Sequence, residues 1–197
     1  MTEAGREAER SRARTLVRLT IVWNAIEAVV ALTAGVAAGS IALIGFGLDA
    51  GVEFAAAGVA LWYLAGADRE RERLAQRMIA ASFLALAVYV AADSVRHLAT
   101  ATHPDSSVPG LVIAAASLVV MPLLAISKRR LAVSLGSATL AAEAAETALC
   151  GWLSLVLLVG LAARTIAGWW WADPVAGLVI AALAVREGLE AWRVEET

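Results

Sequence analysis

The sequence predicts an all-α membrane protein: six transmembrane helices in two inverted three-helix repeats, with both termini cytoplasmic. Three observations predict it. The 197 residues are 60% hydrophobic and only 17% charged, with a mean hydropathy of +0.74, whereas soluble domains are about 45–50% apolar and about 25% charged. Six apolar stretches approach or exceed the ~20 residues needed to cross a bilayer. Short motifs recur at one fixed offset, 97 residues, between the two halves of the chain. This composition excludes an ordinary soluble enzyme, a nucleic-acid-binding protein and a disordered chain. The single cysteine, Cys150, excludes an internal disulfide and a cysteine-only metal cage, and the two histidines, His97 and His103, exclude a histidine-rich site.

The first helix is expected over 17–37. Its apolar stretch exceeds the ~7–15-residue core of a secretory signal and carries Asn24 and Glu27, so it reads as a span rather than a signal. The second, over 40–65, follows the small-residue turn Gly35–Gly39. The third, over 78–98, follows the charged stretch Asp68–Arg77 (DRERERLAQR), which reads as a loop. His103–Gly110 (HPDSSVPG), with two prolines and two serines, cannot continue a helix and precedes the fourth, over 110–127, where Met121-Pro122 predicts a kink. Lys128-Arg129-Arg130 reads as a basic loop before the fifth, over 136–162. The sixth, over 169–190, follows a polar turn at Arg164–Gly168. It opens on the interfacial aromatic run Trp169–Trp171 and on Asp173-Pro174, an N-cap followed by a first-turn proline. The small-residue rows Ala31, Gly35, Gly39 and Gly47, Gly51 suit close helix packing. Residues 1–14 are expected as a cytoplasmic segment, 15–193 as the transmembrane domain and 194–197 as a short cytoplasmic tail.

Orientation follows from the basic residues. Fourteen of the sixteen Lys and Arg fall before the first helix, between the second and third, between the fourth and fifth, or at the C-terminal end; only Arg96 and Arg164 fall on the other side. Basic residues concentrate on the cytoplasmic side of membrane proteins, which puts both termini inside and suggests the inner (plasma) membrane.

Acidic residues within spans are costly and are functional candidates by default. Glu27, Asp49, Glu53, Glu143 and Glu146 lie well inside the predicted helices, and every Lys and Arg is assigned to a loop or helix end, so the five are expected to be protonated or to hold a cation. Phe46, Asp49 and Glu53 are spaced i, i+3, i+7; Glu143, Glu146 and Cys150 repeat that spacing, so each trio forms one helical stripe. Gly39-Ser40, Leu43, Asp49 and Glu53 map onto Gly136-Ser137, Leu140, Glu146 and Cys150 at an offset of 97, and Asp93 and Arg96 map onto Glu190 and Arg193. A three-helix unit repeated once must point the opposite way in the membrane, a plan that places a site at the midplane. Asp49 lies nine residues into its helix and Glu146 nine into its own, each roughly 13–14 Å deep at 1.5 Å per residue. Asp49, Glu53, Glu146 and Cys150 thus form a candidate four-ligand metal site. Its oxygen and thiolate donors suit Zn²⁺, Co²⁺, Cd²⁺ or Fe²⁺. Asn24, Glu27 and Glu143 are candidates for orienting ligands or relaying protons, and Asp93, with Arg96 one turn on, is a candidate gate at the outer rim. His97 and His103 are expected to be peripheral.

At this point the sequence resembles the transmembrane part of the cation diffusion facilitator family of divalent-metal transporters. The likeness rests on GSIALIGFGLDAGVE in helix 2, GSATLAAEAAETALC in helix 5 and WWWADPVAGLVIA in helix 6, and covers about residues 15–193. It is nearest to a short bacterial branch without a cytoplasmic domain. The resemblance implies that the two helix-2 ligands fall on Asp49 and Glu53, and the two helix-5 ligands on Glu146 and Cys150. The family's better-known members use His and Asp there; here no His is present and Cys replaces an Asp, which bears on metal preference. The implied activity is export of a divalent cation, Zn²⁺ first, or Co²⁺, Cd²⁺, Fe²⁺ or Mn²⁺, in exchange for protons, from a homodimer in the lipid bilayer. A non-transporting membrane metal sensor or scaffold, and a proton-coupled carrier of a small organic cation, are the alternatives. An intramembrane hydrolase is disfavoured by the absence of an HExxH pair or a Ser with a His base.

Overall fold

In the computed structural model the described residues form six helices: α1 (Glu3–Ala38), α2 (Ile41–Leu64), α3 (Arg69–Ala99), α4 (Val108–Leu135), α5 (Ala138–Ala167) and α6 (Ala172–Arg193). The structure describes residues 3–64, 69–101, 103–136 and 138–193, and contains no strand among them. Asp68, Ser137 and the tail 194–197 lie outside the described residues.

The helices run longer than the apolar stretches that predict them. Lys128-Arg129-Arg130 is not a loop but part of α4, which continues to Leu135; the charged stretch is helical from Arg69 onward; and α5 runs through Arg164 to Ala167. Arg, Lys, Glu and Gln are good helix formers, so charge ends the apolar run without ending the helix. What ends the helices is backbone chemistry. Gly39, Gly136 and Gly168 close α1, α4 and α5 with φ of 64°, 62° and 68°, the left-handed conformation that glycine adopts without a Cβ penalty. Gly39 and Gly136 are separated by the offset of 97. Ser40 then caps α2, its Oγ accepting from the Leu43 N–H at 3.1 Å, and Ser107 caps α4 in the same way through Gly110 N–H at 3.1 Å.

α1 packs on α2 and α4, α4 on α5, α3 on α6, and α2 on α3, α5 and α6, while α5 also meets α6. Exchanging α1–α3 with α4–α6 turns the α1/α2 contact into α4/α5 and α2/α3 into α5/α6. Of the four remaining pairs, α1/α4, α2/α5 and α3/α6 join each helix to its own counterpart, while α2/α6 has no equally close α3/α5 contact to match it. The buried faces agree. On α1 Val17, Thr20, Asn24, Ala31 and Gly35 are buried, and at an offset of 97 they become Ala114, Ser117, Met121, Lys128 and Ala132, all buried on α4; Glu27, also buried, falls on the partly buried Leu124. The α1/α2 contact is close: a Cβ on Gly35 would lie 2.9 Å from the Ile44 backbone nitrogen, and one on Gly47 2.9 Å from that of Leu32. Gly51, expected in the same row, faces open space.

The largest core cluster surrounds Phe46, Met121, Cys150, Leu157 and Ile180, while the outside is apolar: Val112 is 64% exposed, Val133 80% and Ile166 85%. Exposed apolar surface on this scale marks a lipid-facing or otherwise covered surface. Among the described residues α1, α3, α4 and α5 each contain a segment long and apolar enough to cross a membrane. α2 and α6, of 24 and 22 residues, are about 36 and 33 Å long at 1.5 Å per residue. The chain is a multi-pass membrane protein.

Candidate metal centre

α2 and α5 touch, and Cys150 of α5 meets the acidic stripe of α2. One ligand atom from each of Asp49, Glu53 and Cys150 lies within 4.8 Å of the other two. Asp49 and Glu53 are one turn apart on α2, and Cys150 reaches them from α5. All three are buried, Cys150 completely. Glu146, one turn before Cys150, is half-buried and stands outside this group of three.

α1 completes the surroundings. Asn24 Nδ2 donates to Glu53 Oε2 at 3.1 Å, and Cys150 Sγ lies 3.9 Å from Glu27 Oε2, to which it donates. Asn24 and Glu27 have no exposed surface, so the polar pair of α1 is spent on the two helices that carry the candidate ligands. Trp23 Nε1 donates to Ser117 Oγ at 3.1 Å and ties this part of α1 to α4. Among the described residues, Asp49 Oδ2 and Glu27 Oε1 are buried without a hydrogen-bond partner. A buried carboxylate oxygen without a donor is costly; a bound cation removes that cost. Two carboxylates and a thiol, with Glu27 of α1 hydrogen-bonded to that thiol, are a donor set for a divalent transition metal.

Two features went unforeseen. The first is Lys128. Its Nζ donates to Glu143 Oε2 at 2.8 Å and to Thr147 Oγ1 at 2.9 Å, and it is fully buried. The expectation that none of the five interior carboxylates has a basic partner is therefore wrong for Glu143. A Lys-Arg-Arg run after an apolar stretch reads as a topology signal, but Lys128 continues the row Ser117, Met121, Ala125 at helical spacing, which is the signal that places it inward. Glu143, a candidate relay, is thereby held in an ion pair.

The second is Asp173. Rather than capping its own helix, it reaches across to the start of α2, accepting from Ser40 Oγ and from the Ile41 backbone N–H, the latter at 3.1 Å. It is completely buried. The carboxylate thus lies at the positive end of the helix that carries Asp49 and Glu53, where a negative charge is favourable.

Near the end of α3, Arg96 Nε donates to Asp93 Oδ1 at 2.6 Å, and His97 Nε2 lies 3.6 Å from Asp93 Oδ2. Arg164 Nε donates to the Pro104 carbonyl at 2.9 Å, and His103 packs on Trp170 with ring centroids 5.3 Å apart. His97 is buried beside Asp93, and His103 packs in the turn region with Trp170. Glu190, the counterpart of Asp93, pairs with Arg186 at 2.8 Å.

Comparison with curated proteins finds no match. The family model described as the cation efflux transmembrane domain matches residues 17–193, nearly the whole chain and all six helices. With a buried donor cluster between α2 and α5 inside a multi-pass helical membrane protein, the chain belongs to the cation efflux family, whose members transport divalent metal cations.

Proposed function

We propose that this cation transporter exports a divalent metal, Zn²⁺ first among candidates, from the cytoplasm in exchange for protons. The ion is held by Asp49, Glu53 and Cys150, with Glu146 as the fourth ligand. The observation that carries this reading is the convergence of three buried donor atoms within 4.8 Å of one another on two different helices. Two helices that share one ion can part when it leaves, which is what alternating access requires. Proton exchange follows from ligand chemistry: the donors bind metal only when deprotonated, so protons and metal compete for the same atoms. Asn24 orients Glu53 and Glu27 orients the Cys150 thiol, as outer partners of metal ligands commonly do.

Six spans, two inverted repeats, cytoplasmic termini, a plasma-membrane location and a homodimer belong to the same proposal. The repeat is supported by the offset of 97, which relates two helix-ending glycines, much of the buried stripes of α1 and α4, and most of the helix contacts. The decisive experiment is Zn²⁺ flux into proteoliposomes with an imposed proton gradient. Wild type is expected to transport, and Asp49→Ala to lose essentially all flux while retaining its helical content. Full flux in a folded Asp49→Ala would sink the site.

A further inference from the structure

The polar triad between α4 and α5 takes no part in the transport just described. The Lys128 ammonium bonds to Glu143 Oε2 at 2.8 Å and Thr147 Oγ1 at 2.9 Å, and Thr147 Oγ1 donates in turn to the Glu143 backbone carbonyl at 2.9 Å. All three residues are buried, the lysine completely. Thr147 precedes Cys150, and Glu143 precedes Glu146, by three residues, about 4.5 Å of helical rise.

The other half of the molecule supplies a control. At the offset of 97 the counterparts of Lys128, Glu143 and Thr147 are Ala31, Phe46 and Ala50, every one fully buried. There α1 and α2 pack through an apolar trio. The same kind of contact is thus made without charge in one half and with a buried ion pair in the other. Burying a lysine and a glutamate carries a large desolvation cost, and well-packed apolar residues often do as well or better for stability. Packing alone does not account for the triad.

We propose that Lys128 is a fixed countercharge: it cancels Glu143, keeps the approach to the metal cluster from holding a second cation, and so sets how tightly the site binds its divalent ion. The inference rests on the reading that Asp49, Glu53 and Cys150 hold that ion. Without Lys128, Glu143 and Glu146 would be two carboxylates one turn apart on the same stripe as Cys150, an additional place for a divalent cation. Without Glu143, an unpaired ammonium beside the cluster would repel one. A carrier must release what it binds, and surplus negative charge next to the site would hold the ion.

The test is Zn²⁺ binding to the purified full chain in detergent, measured by competition with a fluorescent chelator. The variants are Lys128→Met, Glu143→Gln, the double variant, Lys128→Arg and Asp49→Ala, with helical content and size-exclusion profile as folding controls. Lys128→Met is expected to bind about tenfold tighter, or to take up a second equivalent, and Glu143→Gln to bind about tenfold weaker, as expected for a unit charge at partly buried range. The double variant and Lys128→Arg are expected within about threefold of wild type. A merely structural pair would give single variants that shift together or not at all, and either result overturns the proposal. Should Lys128→Met fail to fold, Glu143→Gln and the double variant decide: a double variant as weak as Glu143→Gln overturns it. Loss of binding in Asp49→Ala with no difference among the pair variants discards the countercharge and keeps the site. Wild-type binding by Asp49→Ala discards the site.

Discussion

Cys150 is the chain's single cysteine and the soft donor among carboxylates. Soft ligands favour Zn²⁺ and Cd²⁺ over Mn²⁺ and Mg²⁺, so Cys150→Asp is expected to move relative transport toward Mn²⁺ more than it lowers total transport, read by flux of paired metals. As a ligand, its sulfur is also blocked by the ion. Saturating Zn²⁺ is expected to slow modification by methyl methanethiosulfonate several-fold, and an unchanged rate would reduce Cys150 to core packing. Asn24 acts one step further out. Its amide nitrogen donates to Glu53, and removing such a partner typically weakens metal binding about 10–100-fold. Asn24→Leu is accordingly expected to bind Zn²⁺ more weakly by that order while still binding it; an unaltered affinity in the chelator competition would mean that Glu53 needs no orienting. The acidic ladder, the cysteine and their spacing were legible in the sequence because costly residues in apolar helices announce themselves. The pairing of Lys128 with Glu143 was not, because a lysine at the end of an apolar run carries the same local signature whether it faces water or the α5 stripe.

At the level of the element, α2 is clamped at one end and bonded at the other. Ser40 caps it from within its own chain segment, and Asp173 of α6 holds both Ser40 Oγ and the Ile41 N–H. Further along, Gly35 and Gly47 let α1 approach so closely that a Cβ at either position would collide with backbone. Asp49 and Glu53 are thus carried on a helix fixed in depth by α6 and in rotation by α1. Removing the carboxylate leaves the Ser40 O–H and the Ile41 N–H without their acceptor, at about 1–3 kcal/mol each. Asp173→Ala is therefore expected to lower thermal stability in detergent, as is Ser40→Ala, which takes a partner from both the Leu43 N–H and the Asp173 carboxylate. An unchanged melting temperature in Asp173→Ala would show that the carboxylate does not hold α2. Sequence spacing revealed an N-cap at Asp173-Pro174, since that motif is local. It did not reveal which helix the side chain caps, because that depends on α6 lying against α2, a contact between residues more than 130 positions apart. Helix ends were misjudged for a related reason: hydropathy reports where the lipid ends, whereas Gly39, Gly136 and Gly168 report where the helix does.

For the molecule as a whole, the offset of 97 is the organising fact, and its consequence is orientation. If α4–α6 repeat α1–α3 after an odd number of crossings, the two halves lie antiparallel, and the segments before α1 and after α6 fall on one side. Charge selects the side. With Lys128 withdrawn into the helix contact, thirteen basic residues instead of fourteen remain on the side of the chain ends, against Arg96 and Arg164 opposite. Those two are tied down: Arg96 to Asp93 at 2.6 Å, and Arg164 to the Pro104 carbonyl at 2.9 Å. Trp169, Trp170 and Trp171 sit in the turn between α5 and α6 near these arginines, the kind of aromatic cluster that anchors a membrane interface. Both ends of the chain are therefore expected in the cytoplasm. Epitope tags fused at Met1 and at Thr197 should both be shielded from antibody and protease in intact cells and both become accessible on permeabilisation, whereas a tag introduced at Asp105 should be reachable without it. A tag accessible at one end of the chain and shielded at the other would mean an odd number of spans. That result would undo the antiparallel repeat and the common depth of Asp49 and Glu146 along with it.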